Sequence, residues 1–185
     1  MKKHPSPFDI AEMKAKGFEP QTIEAAEEQC INWHAAERVR EIISNAFKDV
    51  KLGNGVGLKQ ANGLDDYADD IKLATLRTLD EKENWQHISI DDLNQFQWGL
   101  SYFDPEGMRF HLPAFMIVDL NGDFMFDLIP KLTDPSEYSI SQFSLFSEQQ
   151  RDAVREFLNY AIEDEDSQYY LTDIIKALLE GYWQE

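Results

Sequence analysis

Between Pro20 and Phe47 the string PQTIEAAEEQCINWHAAERVREIISNAF sets apolar residues at three- and four-residue intervals: Ile23, Ala26, Cys30, Trp33, Val39, Ile42, Ile43 and Phe47. That period lays one apolar stripe along an α-helix and leaves no alternating face from which to build a strand. A helix of this length commits the chain to a mainly α architecture, because any sheet would have to be assembled from what remains. Thr22 is expected to cap its start, with acidic residues in the first turns after it. The turn-rich LGNGVG, Leu52 to Gly57, is expected to end it.

The remaining elements read in the same way. A helical stretch is expected from Leu58 to about Leu79, broken or bent near Gly63 and Asp69, since Gly within a helix costs ~1 kcal/mol relative to Ala. Ser89 caps a short amphipathic helix over SIDDLNQFQW. Asp104 reads as an N-cap and Pro105 as the first helical residue, where a missing N–H loses nothing; Pro113 then breaks or kinks the helix. Asn121-Gly122 between apolar runs is a hairpin signal. Residues 115–130 are therefore expected to give at most a short β-hairpin or extended segment, with helix before the turn and extended chain after it. Ser147 and Gln150 form a capping box ahead of the stripe Val154, Phe157, Leu158 and Ala161. The acidic run EDED, Glu163 to Asp166, then interrupts, and Tyr169 to Trp183 supplies a last amphipathic helix. The expected fold is mainly α, a single compact irregular helical domain over residues 1–185, with 1–19 a flexible N-terminal extension.

Composition decides which functions suit such a domain. The 185 residues are 43% apolar and 12% aromatic, enough for a substantial core, and carry 17 basic against 35 acidic side chains, a net charge of -18. Phosphate neutralisation requires clustered Lys and Arg, so no nucleic acid is expected as a partner. An anionic membrane would repel the chain, and no segment has the apolar length of a span or a signal sequence. Cys30 stands alone, so no internal disulfide forms and a cytoplasmic location is expected. An acidic surface speeds encounter with basic partners.

Four constellations carry possible chemistry. GNGVG lacks both the GxxxxGK[ST] and the GxGxxG pattern and reads as a helix-ending loop. DLNGDFMFD alternates Asp119, Asn121 and Asp123, but Phe124 stands where a calcium loop needs Gly and Pro130 where it needs a bidentate Glu. Cys30 and His34, with Glu27 and Glu37 one turn to either side, offer ligand types for a metal without the ligand count. No metal and no cofactor are expected. LDDYADD gathers Asp65, Asp66, Asp69 and Asp70 around Tyr67; i,i+4 pairs within one helix would repel by a few tenths of a kcal/mol. A solvated face is one reading; the functional one is an acidic patch with a tyrosine anchor, suited to a basic partner surface or to a divalent ion held by carboxylates, and paired carboxylates could also do acid and base chemistry.

The stretch SYFDPEGMRFHLPAFM, Ser101 to Met116, mixes Asp104, Glu106, Arg109, His111 and Pro113 with large apolar residues. Arg109 is expected to pair with Asp104 or Glu106, whereas His111, two residues on, points elsewhere. A triad of Ser101, His111 and Asp104 has no nucleophile elbow to support it. A capped, kinked helix with Phe103, Phe110, Leu112 and Phe115 in the core accounts for more of these residues.

Three segments in order, GNGVGLKQANGLDDYAD, LSYFDPEGMRFHLPAFM and FSLFSEQQRDAVREFL, resemble an uncharacterised bacterial family of unknown function. Its members show GVxLxxAxxxDDY, then LSFFDxxGxRFHLPA, then LSxxQRxxVxxFL. The resemblance spans about Gly53 to Tyr160, with the helix before Lys51 and the acidic tail outside it, and implies a bacterial origin but no activity. The expected function is that of a non-enzymatic acidic interaction protein that binds and neutralises a basic protein partner, as toxin-immunity proteins do, through Asp65, Asp66, Tyr67, Asp69 and Asp70. The alternative is a small hydrolase or metal-dependent enzyme around Asp65, Asp66, Arg109 and His111, which requires those four groups to meet in one pocket.

Overall fold

A computed structural model describes Met1 and residues 3–184, apart from the side chains of Glu165 and Asp166. It holds ten α-helices and no strand among the described residues: α1 (Pro7–Ala15), α2 (Pro20–Phe47), α3 (Leu58–Asp65), α4 (Asp70–Thr78), α5 (Ile90–Gln95), α6 (Pro105–Leu120), α7 (Ile129–Thr133), α8 (Glu137–Gln142), α9 (Glu148–Glu163) and α10 (Leu171–Leu179). Short 3₁₀ turns at Trp85–His87, Gln97–Ser101 and Glu165–Tyr170 join them. The fold is mainly α, as its apolar period requires.

The centre is α6. From Gly107 to Leu120 nearly every side chain is buried, the pattern of a helix surrounded on all sides. The long helix α2 lies against it and against α9, so that Val39, Ile43 and Phe47 meet the expected α9 stripe of Val154, Phe157, Leu158 and Ala161. Fully burying side chains of this size stabilises by roughly 1.5–3 kcal/mol each. The end of α2 is closed from outside the helix, where the Trp85 indole N–H donates to the Phe47 carbonyl at 2.9 Å. That bond satisfies one of the orphan acceptors of a helix C-terminus.

Most helix starts obey the local signals. Ser89, Asp104 and Ser147 each accept a hydrogen bond from the backbone of the first turn they cap, and the capping box of Ser147 with Gln150 is formed. Two expectations need correction. Helix α2 begins with Glu19 at the cap and Pro20 as its first residue, with no side-chain cap bond, so Thr22 lies inside the helix. Pro113 does not break α6, which runs on to Leu120; the helix is held by its buried surroundings, and these outweigh the ~3 kcal/mol that an interior proline costs.

At Asn121-Gly122 the chain is helical up to the turn, as expected, and of the two possibilities the hairpin is the one not formed. Gly122 takes φ +69° directly after the Asn121 cap. Its N–H donates to Asp119 O at 2.9 Å and that of Asp123 to Val118 O at 3.0 Å. This is a Schellman end to α6: the same glycine that suits a tight hairpin also suits a left-handed helix stop.

Within the stretch expected to be an extension, residues 7–15 form α1 behind a Ser6 capping box. Helix α1 packs on the first half of α2 through Ile10, Ala26 and Cys30, a small cluster separate from the main core. The N-terminal ammonium of Met1 pairs with the buried Asp119 carboxylate at 2.9 Å.

Candidate functional site

The LDDYADD tract does not lie along one helix. Helix α3 stops at Asp65, and the chain reverses through a left-handed residue before Asp69 caps α4, its carboxylate accepting from Lys72 N–H at 2.8 Å. The reversal is another Schellman end, with Tyr67 N–H donating to Leu64 O at 3.1 Å and Ala68 N–H to Gly63 O at 2.9 Å. Glycine normally occupies this position; here Tyr67 does, at φ +54°, the one non-glycine residue of positive φ among those described. The expected i,i+4 repulsion within one helix therefore does not arise, because the four carboxylates sit around a corner between two helices.

That corner is open to solvent. Tyr67 is 95% and Ile71 82% exposed, and no residue of α4 is buried. The carboxylates divide their roles: Asp66 accepts from the Asn62 amide at 3.0 Å, and Asp65 accepts the Tyr102 hydroxyl hydrogen at 2.7 Å. Losing that hydrogen bond on ionisation holds the Tyr102 hydroxyl above its ordinary pKa, with burial and the Asp65 charge adding to it, and the charges of Tyr67 and Tyr138 are also felt there. Tyr138, near the start of α8 and exposed, donates to Ser101 O at 2.8 Å. Tyr67 and Tyr138 are thus near Tyr102, which Asp65 holds. Sequence reasoning missed Tyr102 and Tyr138, since the Tyr102–Asp65 bond joins positions 37 apart and leaves no local signal.

The glycine-rich loop has a structural explanation. A Cβ at Gly55 would fall 2.6 Å from Glu106 Cβ and Gly107 N, and one at Gly107 would fall 2.5 Å from Val56 O. The close approach lets one carboxylate, Asp104, accept both Gly107 N–H, as the α6 cap, and Val56 N–H from the loop, each at 2.8 Å. Arg77 clamps the other side, donating to the carbonyls of Gly53, at 2.9 Å, and Gly55. Asp80 caps α3 from across the chain, accepting from Lys59 N–H at 2.7 Å and Gln60 N–H at 3.3 Å, in space that a Gly57 side chain would fill. Burial still pushes the Asp80 carboxyl up against the lowering effect of those two bonds. Two of the three familiar sequence segments meet in this joint.

The middle segment is structural throughout. His111 is 1% exposed, stacked on Phe103 at 4.4 Å, and its Nδ1–H donates to Gly107 O at 2.7 Å. Burial pushes its pKa down from 6.5 to about 4, so it is a neutral core residue at pH 7. Arg109 makes no ion pair with Asp104 or Glu106; it donates to Leu145 O at 3.4 Å, and its Nε is buried without a hydrogen-bond partner among the described residues. The expected pairing fails because Asp104 is committed to two backbone N–H groups. No hydrogen bond or ion pair among the described residues brings Asp65 or Asp66 to Arg109 or His111. Cys30 is buried between α1 and α2, and His34 stands edge-on to Trp33 at 5.0 Å. No group of three or more His, Cys, Asp and Glu side chains that could hold a metal ion occurs among the described residues. No helix among the described residues is long and apolar enough to cross a membrane.

Residues 35–185 match the family of unknown function DUF6714. No curated protein and no solved structure matches the chain. The match is wider than the Gly53–Tyr160 span of the three motifs, taking in the second half of α2 and the acidic tail with α10. Its start coincides with a change of packing: Ala36, Val39, Ile43 and Phe47 of α2 belong to the main core, whereas Ala26 and Cys30 belong to the small cluster with α1.

Proposed function

The chain belongs to the DUF6714 family of unknown function, and we propose that it is an acidic interaction protein that binds and neutralises a basic protein partner, as toxin-immunity proteins do. The observation that carries this reading is the α3–α4 corner. Helix α4 has no fully buried side chain, only Leu73, Leu76 and Arg77 half-buried, presents Ile71 to solvent, and follows the turn made by the exposed, left-handed Tyr67. A soluble domain gains nothing by displaying these groups on a strained turn, whereas a partner surface gains a rigid aromatic anchor ringed by carboxylates. The net charge of -18 adds long-range attraction for a basic partner and repulsion of nucleic acid. The cytoplasm, suggested by the lone Cys30, is the compartment proposed for that encounter. The hydrolase or metal-enzyme alternative has no observation in its favour, since His111 is enclosed by the core and Arg109 bonds a loop carbonyl.

The test is affinity capture from the native host with the intact chain and with a double variant, Asp66→Lys and Asp70→Lys, which spares the Asp69 cap and the Asp65–Tyr102 bond. A basic protein retained by the parent should bind the variant at least about tenfold more weakly, with a shallower salt dependence. Recovery of no partner, or of one that the variant binds equally well, rejects the reading.

A further inference from the structure

The loop that joins α6 to α7, residues 122–128, is pinned along its length. Phe124 is 8% exposed and packs edge-on against Phe115 of α6, with 5.4 Å between ring centroids. Asn94 of α5 holds the backbone around it: the amide nitrogen donates to Asp123 O at 3.0 Å, and the amide oxygen accepts from Met125 N–H at 2.8 Å. Asp127 accepts the Tyr170 hydroxyl hydrogen at 2.8 Å, and Leu128 is fully buried just before α7. Between these fixed points Met125 is turned outward and is 78% exposed. Its thioether reaches water because the fold ties the backbone on both sides of it, not because the chain is slack.

Exposure separates Met125 from the other four methionines of the chain. Met108 and Met116 lie inside α6 with no exposed surface. Met1 and Met13 are half-buried, the first against the main core and the second against the α1–α2 cluster. An oxidant must reach the sulfur lone pair, so susceptibility follows access. We propose that Met125 is a modification site, the methionine that hydrogen peroxide converts to the sulfoxide in the folded chain. The sulfur lone pair attacks one peroxide oxygen; the S–O bond forms as the O–O bond breaks, and the second oxygen leaves as water with the proton of the first. Sulfur is oxidised by two electrons and the peroxide is reduced by the same two. A thiol-dependent reductase reverses the step, its two thiols closing to a disulfide while the sulfoxide oxygen leaves as water.

The effect of the change falls on the surface. Phe126, next in the chain, is 41% exposed, and Ile90, one turn before Asn94 on α5, is 43% exposed. Oxidation replaces a flexible apolar side chain beside them with a polar, chiral one. The contacts that pin the loop use the Met125 backbone and the side chains of Asn94, Phe124 and Asp127, so none of them passes through the sulfur. The inference goes beyond the reading of the chain as a binder of a basic protein and does not depend on it.

The test treats the full chain with dilute hydrogen peroxide at neutral pH and follows each methionine by peptide mass mapping, with the chain in denaturant as the reference for unprotected sulfur. Met125 is expected to react at about its unfolded rate and at least about tenfold faster than Met1 or Met13, while Met108 and Met116 stay unreacted in the fold. Retention on a hydrophobic column should fall with the same time course, recover on treatment with methionine sulfoxide reductase, and stay constant over that time in Met125→Leu. The melting temperature of the sulfoxide form should match that of the parent. A rate at Met125 no greater than that at Met1 or Met13, protection of Met125 to the level of Met108, unchanged retention, or a lowered melting temperature overturns the proposal.

Discussion

Tyr67 stores strain where the chain could have had none. A non-glycine residue in the left-handed region costs roughly 1–2 kcal/mol, offset in part by the freedom that glycine would add to the unfolded chain. Tyr67→Gly should therefore raise stability by up to about 1 kcal/mol in a denaturant titration while weakening partner binding; a loss of stability would show that the ring has a packing role. Two buried titratable groups supply opposite pH signatures. His111, depressed to about 4, is neutral in the fold while the unfolded chain takes up a proton below 6.5, so its contribution is complete above 6.5 and is lost as pH falls toward 4. Asp119 is pushed the other way, from 3.8 to about 6, chiefly by burial and against the pull of the Met1 ammonium. The fold holds its proton more tightly than the unfolded chain does, so its contribution grows as pH falls from about 6 to 3.8. Each effect amounts to about 3 kcal/mol at most. Parent-minus-variant stability for His111→Gln should fall between pH 6.5 and 4, and that for Asp119→Asn should rise over the overlapping window; parallel slopes would contradict both.

At the scale of elements, helix ends divide into those closed by their own residues and those closed from elsewhere. Ser6, Ser89, Asp104 and Ser147 belong to the first group, and the last three were legible, because a cap and its first turn are neighbours in sequence. Helix α3 belongs to the second, since Asp80 reaches its N-terminus from 20 residues beyond. Gly57→Ala should displace that carboxylate, and Asp80→Ala should remove it. Each should cost about 1–2 kcal/mol in thermal or denaturant unfolding, and the pair should cost much less than the sum; full additivity would separate the glycine from the cap. The Asn121-Gly122 turn shows the opposite limit. Its left-handed glycine was legible, but whether the turn would close a helix or join two strands depended on what flanked α6 in space.

For the whole molecule the governing quantity is charge. At -18 the folded chain repels itself more than the expanded one does, so the melting temperature should rise between ~10 and ~150 mM salt as screening sets in. The same salt should weaken capture of a basic partner, and a flat melting temperature would mean that the carboxylates are too widely spread to interact. The sequence by itself determined the helical class, the length of α2, most helix starts and the acidic balance, because periodicity and capping act over one or two turns and charge adds without regard to fold. Only the tertiary structure decided the rest. It buried His111 and freed Arg109 from its expected partner, bent LDDYADD into an exposed corner, and brought Tyr102 to Asp65. Those are contacts between positions distant along the chain, and their energies come from packing and desolvation, which no local pattern records.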